Sequence, residues 1–238
     1  MNFFGESHFR SAIQSAHSML LLTFEGIDGS GKSTQARRLR QFLEEEGHDT
    51  LVVREPGGTE LSERVRSLLL EPDFNVHPMA ELLLFSAART QLVTERIQPA
   101  LEAGRIVICD RFYDSTTAYQ GAGRGVADPA WLQSFHRRVT DGLVPDRTYL
   151  VALDPETAQE RRDTDGAPND RMEAEAEAFY HRVAAAYDTL AREHPQRIRR
   201  LDGQQSIEAL HATIRSDVNA LLSAQTGTPS ASTGSSDC

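Results

Sequence analysis

Lysine is almost missing from this chain: Lys32 is the single one among 25 basic residues, and the rest are arginine. Cysteine is nearly as scarce. Cys109 lies in an apolar run and Cys238 ends the sequence, a pair that makes no disulfide framework and fits a reducing compartment. No run reaches the roughly 20 apolar residues of a membrane span. Residues 1–18 also lack the apolar stretch of a signal peptide, being broken by Glu6, His8, Arg10 and Gln14. A net charge of −10 excludes a general binder of nucleic acid or membrane surfaces, whose phosphates would be repelled. The eight histidines show no metal-ligand spacing, and no Cys or His nucleophile is evident. These absences point to a cytoplasmic protein that meets any phosphate with a local, convergent positive site.

What is present suits one large domain of the 238 residues, with 39% hydrophobic residues to form its core. The segments 1–18 and 226–238 are expected to be disordered, leaving a domain over 19–225. Met19 directly precedes the first strand, so residues 1–18 are expected to be dispensable. Short apolar, β-branched runs occur at Leu20–Glu25, Thr50–Arg54, Arg105–Asp110, Thr148–Asp154 and Arg197–Leu201. Helical stretches are expected at Lys32–Glu46, Glu60–Leu70, Met79–Ala103, Pro129–Thr140, Glu173–Glu193 and Ser206–Leu222. This alternation predicts a single α/β domain, a five-stranded parallel sheet with helices on both faces. In such sheets ligands sit beyond the carboxyl ends of the strands.

The lone lysine stands at one of those ends. Gly26-Ile27-Asp28-Gly29-Ser30-Gly31-Lys32-Ser33-Thr34 leaves the first strand and enters the first helix, the context a phosphate-binding P-loop requires. Its glycines let backbone N–H groups curl around phosphate oxygens, and the helix N-terminus adds its positive dipole end. Lys32 can reach the β- and γ-phosphates, and the Ser33 hydroxyl can take a place on Mg²⁺. An ammonium is a compact point charge that fits a nest too tight for a planar guanidinium, which explains why lysine is kept here alone. The loop therefore predicts a P-loop NTPase-type fold that binds a nucleoside triphosphate. The Asn-Lys-x-Asp base reader of GTPases is excluded, because it needs a second lysine.

Three further stretches offer a second substrate site. Arg54-Glu55-Pro56-Gly57-Gly58-Thr59 follows the second strand and reads either as a surface turn or as a loop aiming Arg54 into the cleft. Asp110-Arg111-Phe112-Tyr113-Asp114-Ser115-Thr116-Thr117-Ala118-Tyr119-Gln120-Gly121 follows the third. There Asp110 is a candidate to hold Mg²⁺ through water, and Arg111 to clamp an acceptor phosphate. Phe85 and Arg89, four apart on one helix, are ordinarily a core aromatic and a solvated charge, but on one face they could stack on a base and bond its edge.

Together FEGIDGSGKST, REPGGT, LLFSAART and DRFYDSTTAYQGAGRG resemble bacterial thymidylate kinase over roughly residues 19–222. The resemblance implies transfer of the ATP γ-phosphoryl to dTMP with Mg²⁺, in a homodimer feeding dTTP synthesis. It implies that Lys32, Ser33 and Thr34 hold ATP phosphates and magnesium, with Asp28 near the dTMP sugar and the metal. Arg111 with Arg54 would bind the dTMP phosphate, Phe85 would stack on thymine and Arg89 reach its O4. Ser115, Thr116 and Gln120 would line the pocket, and Tyr119 crowd the 2′ position. Some members carry a catalytic arginine in the P-loop, where this chain has Gly29. Others carry it in a lid, here expected at 161–173, with Arg171 favoured and Arg162 in support. A kinase of another acceptor, such as deoxycytidylate or a deoxynucleoside, remains the alternative, as does a non-catalytic nucleotide binder.

Overall fold

Five strands, Leu20–Glu25 (β1), Thr50–Arg54 (β2), Ile106–Asp110 (β3), Arg147–Ala152 (β4) and Ile198–Asp202 (β5), run parallel in the order β2-β3-β1-β4-β5. The computed structural model describes residues 19–72, 74–165, 171–172 and 175–226. The disorder expected of residues 1–18 and of 226–238 lies outside them except at Thr226, which ends a helix, and 166–170 and 173 of the expected lid lie outside them too. Among the described residues no helix is long and apolar enough to cross a membrane.

Strand alternation divides the core. Leu20, Leu22 and Phe24 of β1 pack with Leu39, Phe42 and Leu43 of α1 (Lys32–Glu45) and with Leu210, Ile214 and Val218 of α9 (Ile207–Thr226). Leu21 turns the other way, toward Leu92, Val93 and Ile97. Each such side chain, removed from water, contributes on the order of 1.5–3 kcal/mol. Glu25 shares the parity of Leu21 and Thr23, so a carboxylate ends a buried row.

The expected helix over Met79–Ala103 begins as α3 (Pro78–Leu92), capped by the His77 ring on the Met79 N–H, 3.2 Å away. It widens into a π turn at Val93–Ile97 before α4 (Gln98–Glu102). Pro99 lacks the N–H that would continue the α ladder back to Glu95, which accounts for the wider turn. The other expected helices are α2 (Glu60–Leu70), α6 (Pro129–Val139) and α8 (Glu177–Glu193). The last starts four residues later than expected.

Two helices were not anticipated. Tyr113–Thr116 (α5) winds on as a π helix through Thr117–Gly123, where a strand-end loop was expected. Pro155–Asp165 (α7) takes up the first part of the expected lid. Asp154 explains both the early end of β4 and the start of α7: its carboxylate accepts the Thr157 N–H at 2.8 Å and the Thr157 hydroxyl at 2.9 Å, an N-cap.

Candidate active site

The loop between β1 and α1 is shaped by backbone. Gly31 caps α1 at φ 94°, and no side chain caps the helix, so its first N–H groups remain available to an anion. By contrast α2 is closed by the Thr59 hydroxyl on the Ser62 N–H. Lys32 is buried, its ammonium 3.0 Å from Asp28 Oδ1 and 3.4 Å from the Ile27 carbonyl. Ser33 lies exposed and Thr34 half-buried at the start of the helix. Gly29 has φ 84°, and a Cβ there would sit 2.5 Å from the Ala158 carbonyl of α7. That contact is the physical reason a P-loop arginine cannot stand at this position without displacing α7.

From α7, Arg162 reaches the same loop, donating to the Asp28 carbonyl at 2.7 Å while its guanidinium lies 4.9 Å from the Tyr180 ring centre. Arg161 turns aside to the Gly203 carbonyl, 3.0 Å away. These residues, the loop Asp28–Gln35 and Gln205, Ser206 and Ile207 line an open groove of about 890 Å³.

Asp28 also borders a second, tighter cavity of about 140 Å³. Burial disfavours its charge, but the guanidinium of Arg111 at 2.6 Å and the Lys32 ammonium outweigh that and hold its carboxyl well below the usual range. The Tyr119 hydroxyl completes the set at 3.2 Å, and its ring lies under Arg111, 5.0 Å from ring centre to guanidinium. Arg111 thus stands at the junction of the two cavities. Ser115 bonds its Nη1 at 3.0 Å.

At the far end Arg89 is fully buried, and its guanidinium is oriented by three contacts. Nε donates to Glu55 Oε2 at 2.7 Å, and Nη2 to Thr116 Oγ1 at 3.0 Å and the Phe112 carbonyl at 3.3 Å. Nη1 is buried and has no partner among the described residues. Phe85 and Gln120 line this cavity with Pro56 and Met172. Gln120 is steered by Glu81, which accepts its amide at 2.9 Å.

Two of the expected arginines lie away from the phosphate loop. Arg54 does not line the cavity; its side chain is 58% exposed and pairs with Glu63 at 3.3 Å. Glu55 shares the parity of the buried Leu51 and Val53 and points inward instead. Arg171, favoured over Arg162 for the phosphates, bonds the Leu69 carbonyl at 2.8 Å and Glu81 at 2.7 Å, next to Leu70 and Met172 of the small cavity's lining. Arg162 is the arginine placed at the P-loop. Both come from packing between distant segments, which the local motif does not express.

The structure also adds Glu25, Glu55, Glu81 and Tyr187 to the set. The rule that singled out Asp110, a carboxylate ending a buried strand, applies equally to Glu25. Asp110 Oδ1 itself is buried without a partner among the described residues, an acceptor that suits a metal-bound water.

Fold and cavities define the class: a P-loop protein with a phosphate groove joined to a second, side-chain-lined pocket. The family model described as thymidylate kinase matches residues 24–214. A thymidylate kinase of Chlorobium chlorochromatii (strain CaD3) is 45% identical over 216 residues, covering 85% of this chain and 96% of the relative. That of Bifidobacterium longum (strain NCC 2705) is 45% identical over 206 residues, covering 85% and 98%. A crystal structure of thymidylate kinase from Ehrlichia chaffeensis superposes with a TM-score of 0.68 at 33% identity, covering 84% of this chain and 99% of that one. The chain belongs to the thymidylate kinase family.

Proposed function

We propose that the protein transfers the γ-phosphoryl of ATP to dTMP, giving dTDP for dTTP synthesis, with the open groove as donor site and the tight cavity as acceptor site. The observation that carries this is the buried Nη1 of Arg89, which has no partner among the described residues. A guanidinium can only donate, so a buried Nη1 calls for an acceptor such as thymine O4 and opposes the amino group of cytosine. Phe85 offers a ring to the base, and Arg111 takes the acceptor phosphate at the end of the cavity nearest the P-loop. Tyr119, locked by Asp28, sits where it would crowd a ribose 2′-hydroxyl.

In the donor groove the N–H groups of the loop, Lys32 and Thr34 hold the ATP phosphates. Phosphoryl transfer asks little covalent chemistry of a protein, so the work is alignment of two anions and neutralisation of charge on the transferred group. Arg111 draws on the acceptor side, Lys32 on the donor side, and Asp28 Oδ1 bridges and orients the two cations. Arg162 closes the groove over the loop and helps exclude water. Ser33, and Asp110 through water, would hold a Mg²⁺, which supplies charge neutralisation at the donor phosphates when bound.

The protein is further read as a cytoplasmic homodimer. Exposed Leu61 and Leu68 on α2 and Leu83 on α3 support an apolar face for a second copy. A coupled assay with ATP against dTMP, dUMP, dCMP and thymidine tests the function. The expected order is dTMP, then dUMP lower by roughly 10–200-fold for the lost methyl, then dCMP far behind. Preference for dCMP or for a nucleoside would contradict it.

A further inference from the structure

Glu25 takes no part in the reaction outlined above, yet it is fully buried beside the junction of the two sites. Its Oε1 accepts the backbone N–H of Phe112 at 2.8 Å and of Ser115 at 3.2 Å. Its Oε2 accepts the hydroxyls of Ser115 at 2.6 Å and Tyr187 at 2.8 Å. Among the described residues no cation pairs with it directly, so its charge rests on four hydrogen-bond donors. Burial, reinforced by the charge of Asp114, pushes its pKa up to about 7, against the pull of Arg111, the Ser115 hydroxyl and the Phe112 N–H. A buried carboxylate without a direct cation partner is costly, and four converging donors offset that cost here.

What the carboxylate organises is Arg111. That residue has φ 72°, a left-handed conformation unusual for a side chain with a Cβ, and its neighbour Phe112 is tied down by Glu25. Arg111 Nη1 donates to the Ser115 hydroxyl at 3.0 Å and the Tyr187 hydroxyl at 3.3 Å, the same two groups that give their protons to Glu25. With those protons drawn to Oε2, both oxygens turn lone pairs toward the guanidinium. Neither hydroxyl could be relied on to do so if the carboxylate were absent.

We propose that Glu25 is a positioning residue for acceptor binding: it holds the strained turn at Arg111 and polarises Ser115 and Tyr187 so that the guanidinium faces the acceptor phosphate. The inference rests on the reading that Arg111 binds that phosphate.

The test measures dissociation constants for dTMP and for thymidine, which lacks the phosphate, together with KM for ATP. Arg111→Ala weakens dTMP by roughly 100-fold, the scale of a hydrogen bond to a charge, and leaves thymidine within about twofold. Glu25→Gln weakens dTMP by roughly 10-fold, thymidine hardly at all, and leaves KM for ATP unchanged. In the Arg111→Ala background Glu25→Gln adds nothing further. Tyr187→Phe removes one relay without touching the strand and gives the same selective loss at about threefold. Equal weakening of dTMP and thymidine in the Glu25 or Tyr187 variants, or a double variant in which the losses multiply, would overturn the proposal. If Arg111→Ala itself weakens both ligands alike, the fault lies instead with the reading of Arg111.

Discussion

The two cavities that meet at Asp28 are built by opposite means. The donor groove is wide and open, lined by the continuous loop from Asp28 into α1 together with α7 and the residues leading into α9, with Lys32 as its buried cation. The acceptor cavity is about one sixth the volume, with side chains from the loop after β2, from α2, α3, α5 and its π continuation converging on it. Main-chain N–H groups read any phosphate, which suits a donor carried by its phosphates. Side chains held by other side chains read one base edge. The Glu55–Arg89–Thr116 chain of hydrogen bonds leaves one nitrogen, Nη1, without a partner among the described residues, so selectivity should be concentrated there, and catalytic power at the loop.

The largest effect tests the donor half. Lys32→Ala should lower turnover by on the order of 10²–10³, the scale for removing one preorganised electrostatic partner. Lys32→Arg should be nearly as damaging, because the nest that buries the ammonium has no room for a planar fork. Steady-state kinetics with saturating dTMP checks both; near-wild-type turnover in the Arg variant would break the account of the lone lysine. Next, Gly29→Ala should destabilise by about 1–3 kcal/mol, from a left-handed φ and a Cβ pressed on the Ala158 carbonyl. The strain should appear as a lower Tm and a higher KM for ATP with an unchanged KM for dTMP. A raised KM for dTMP alone would show that the two halves are not separable in this way.

A further effect, confined to acid pH, belongs to the acceptor half. His136 lies behind its helix, stacked on Tyr113 with ring centres 5.2 Å apart and bonded to the Thr117 hydroxyl at 2.9 Å. Burial, with the Arg89 charge adding, pushes its pKa down to about 3 from the ordinary 6.5. A histidine kept neutral in the fold contributes stability that is present above pH 6.5 and is lost as the pH falls toward 3. The loss is at most about 1.4 kcal/mol per pH unit. Melting curves should therefore show His136→Gln less acid-sensitive than wild type between pH 6.5 and 4. Parallel curves would place the acid-labile groups elsewhere.

The same contrast governs what was legible in the sequence. The loop from Gly26 to Thr34 is contiguous, so its residue types alone announce a phosphate nest, and the alternation of apolar runs announces the parallel sheet. The acceptor residues were recognised through motif resemblance, yet the carboxylates that aim them were not. Glu55, one residue beyond the end of β2, keeps the strand's inward parity, which the turn-like Pro-Gly-Gly beside it conceals in the sequence. Glu81 sits in an apolar stretch of α3, where only the folded structure shows Gln120, Arg124 and Arg171 converging on it. The placement of Arg162 rather than Arg171 at the loop depends on α7, whose start is signalled by Asp154-Pro155-Glu156-Thr157, a capping sequence that lies before the expected lid.

The most direct test of the division between the halves is kcat/KM for dTMP and for dCMP, with KM for ATP, in Arg89→Ala. The account predicts a marked fall in kcat/KM for dTMP, roughly 10–100-fold for a lost bond from a charged donor. It also predicts a dTMP/dCMP ratio compressed toward unity and a KM for ATP unaltered. An unchanged dTMP/dCMP ratio would contradict it, and would move base reading from Arg89 to Thr116 and its neighbours.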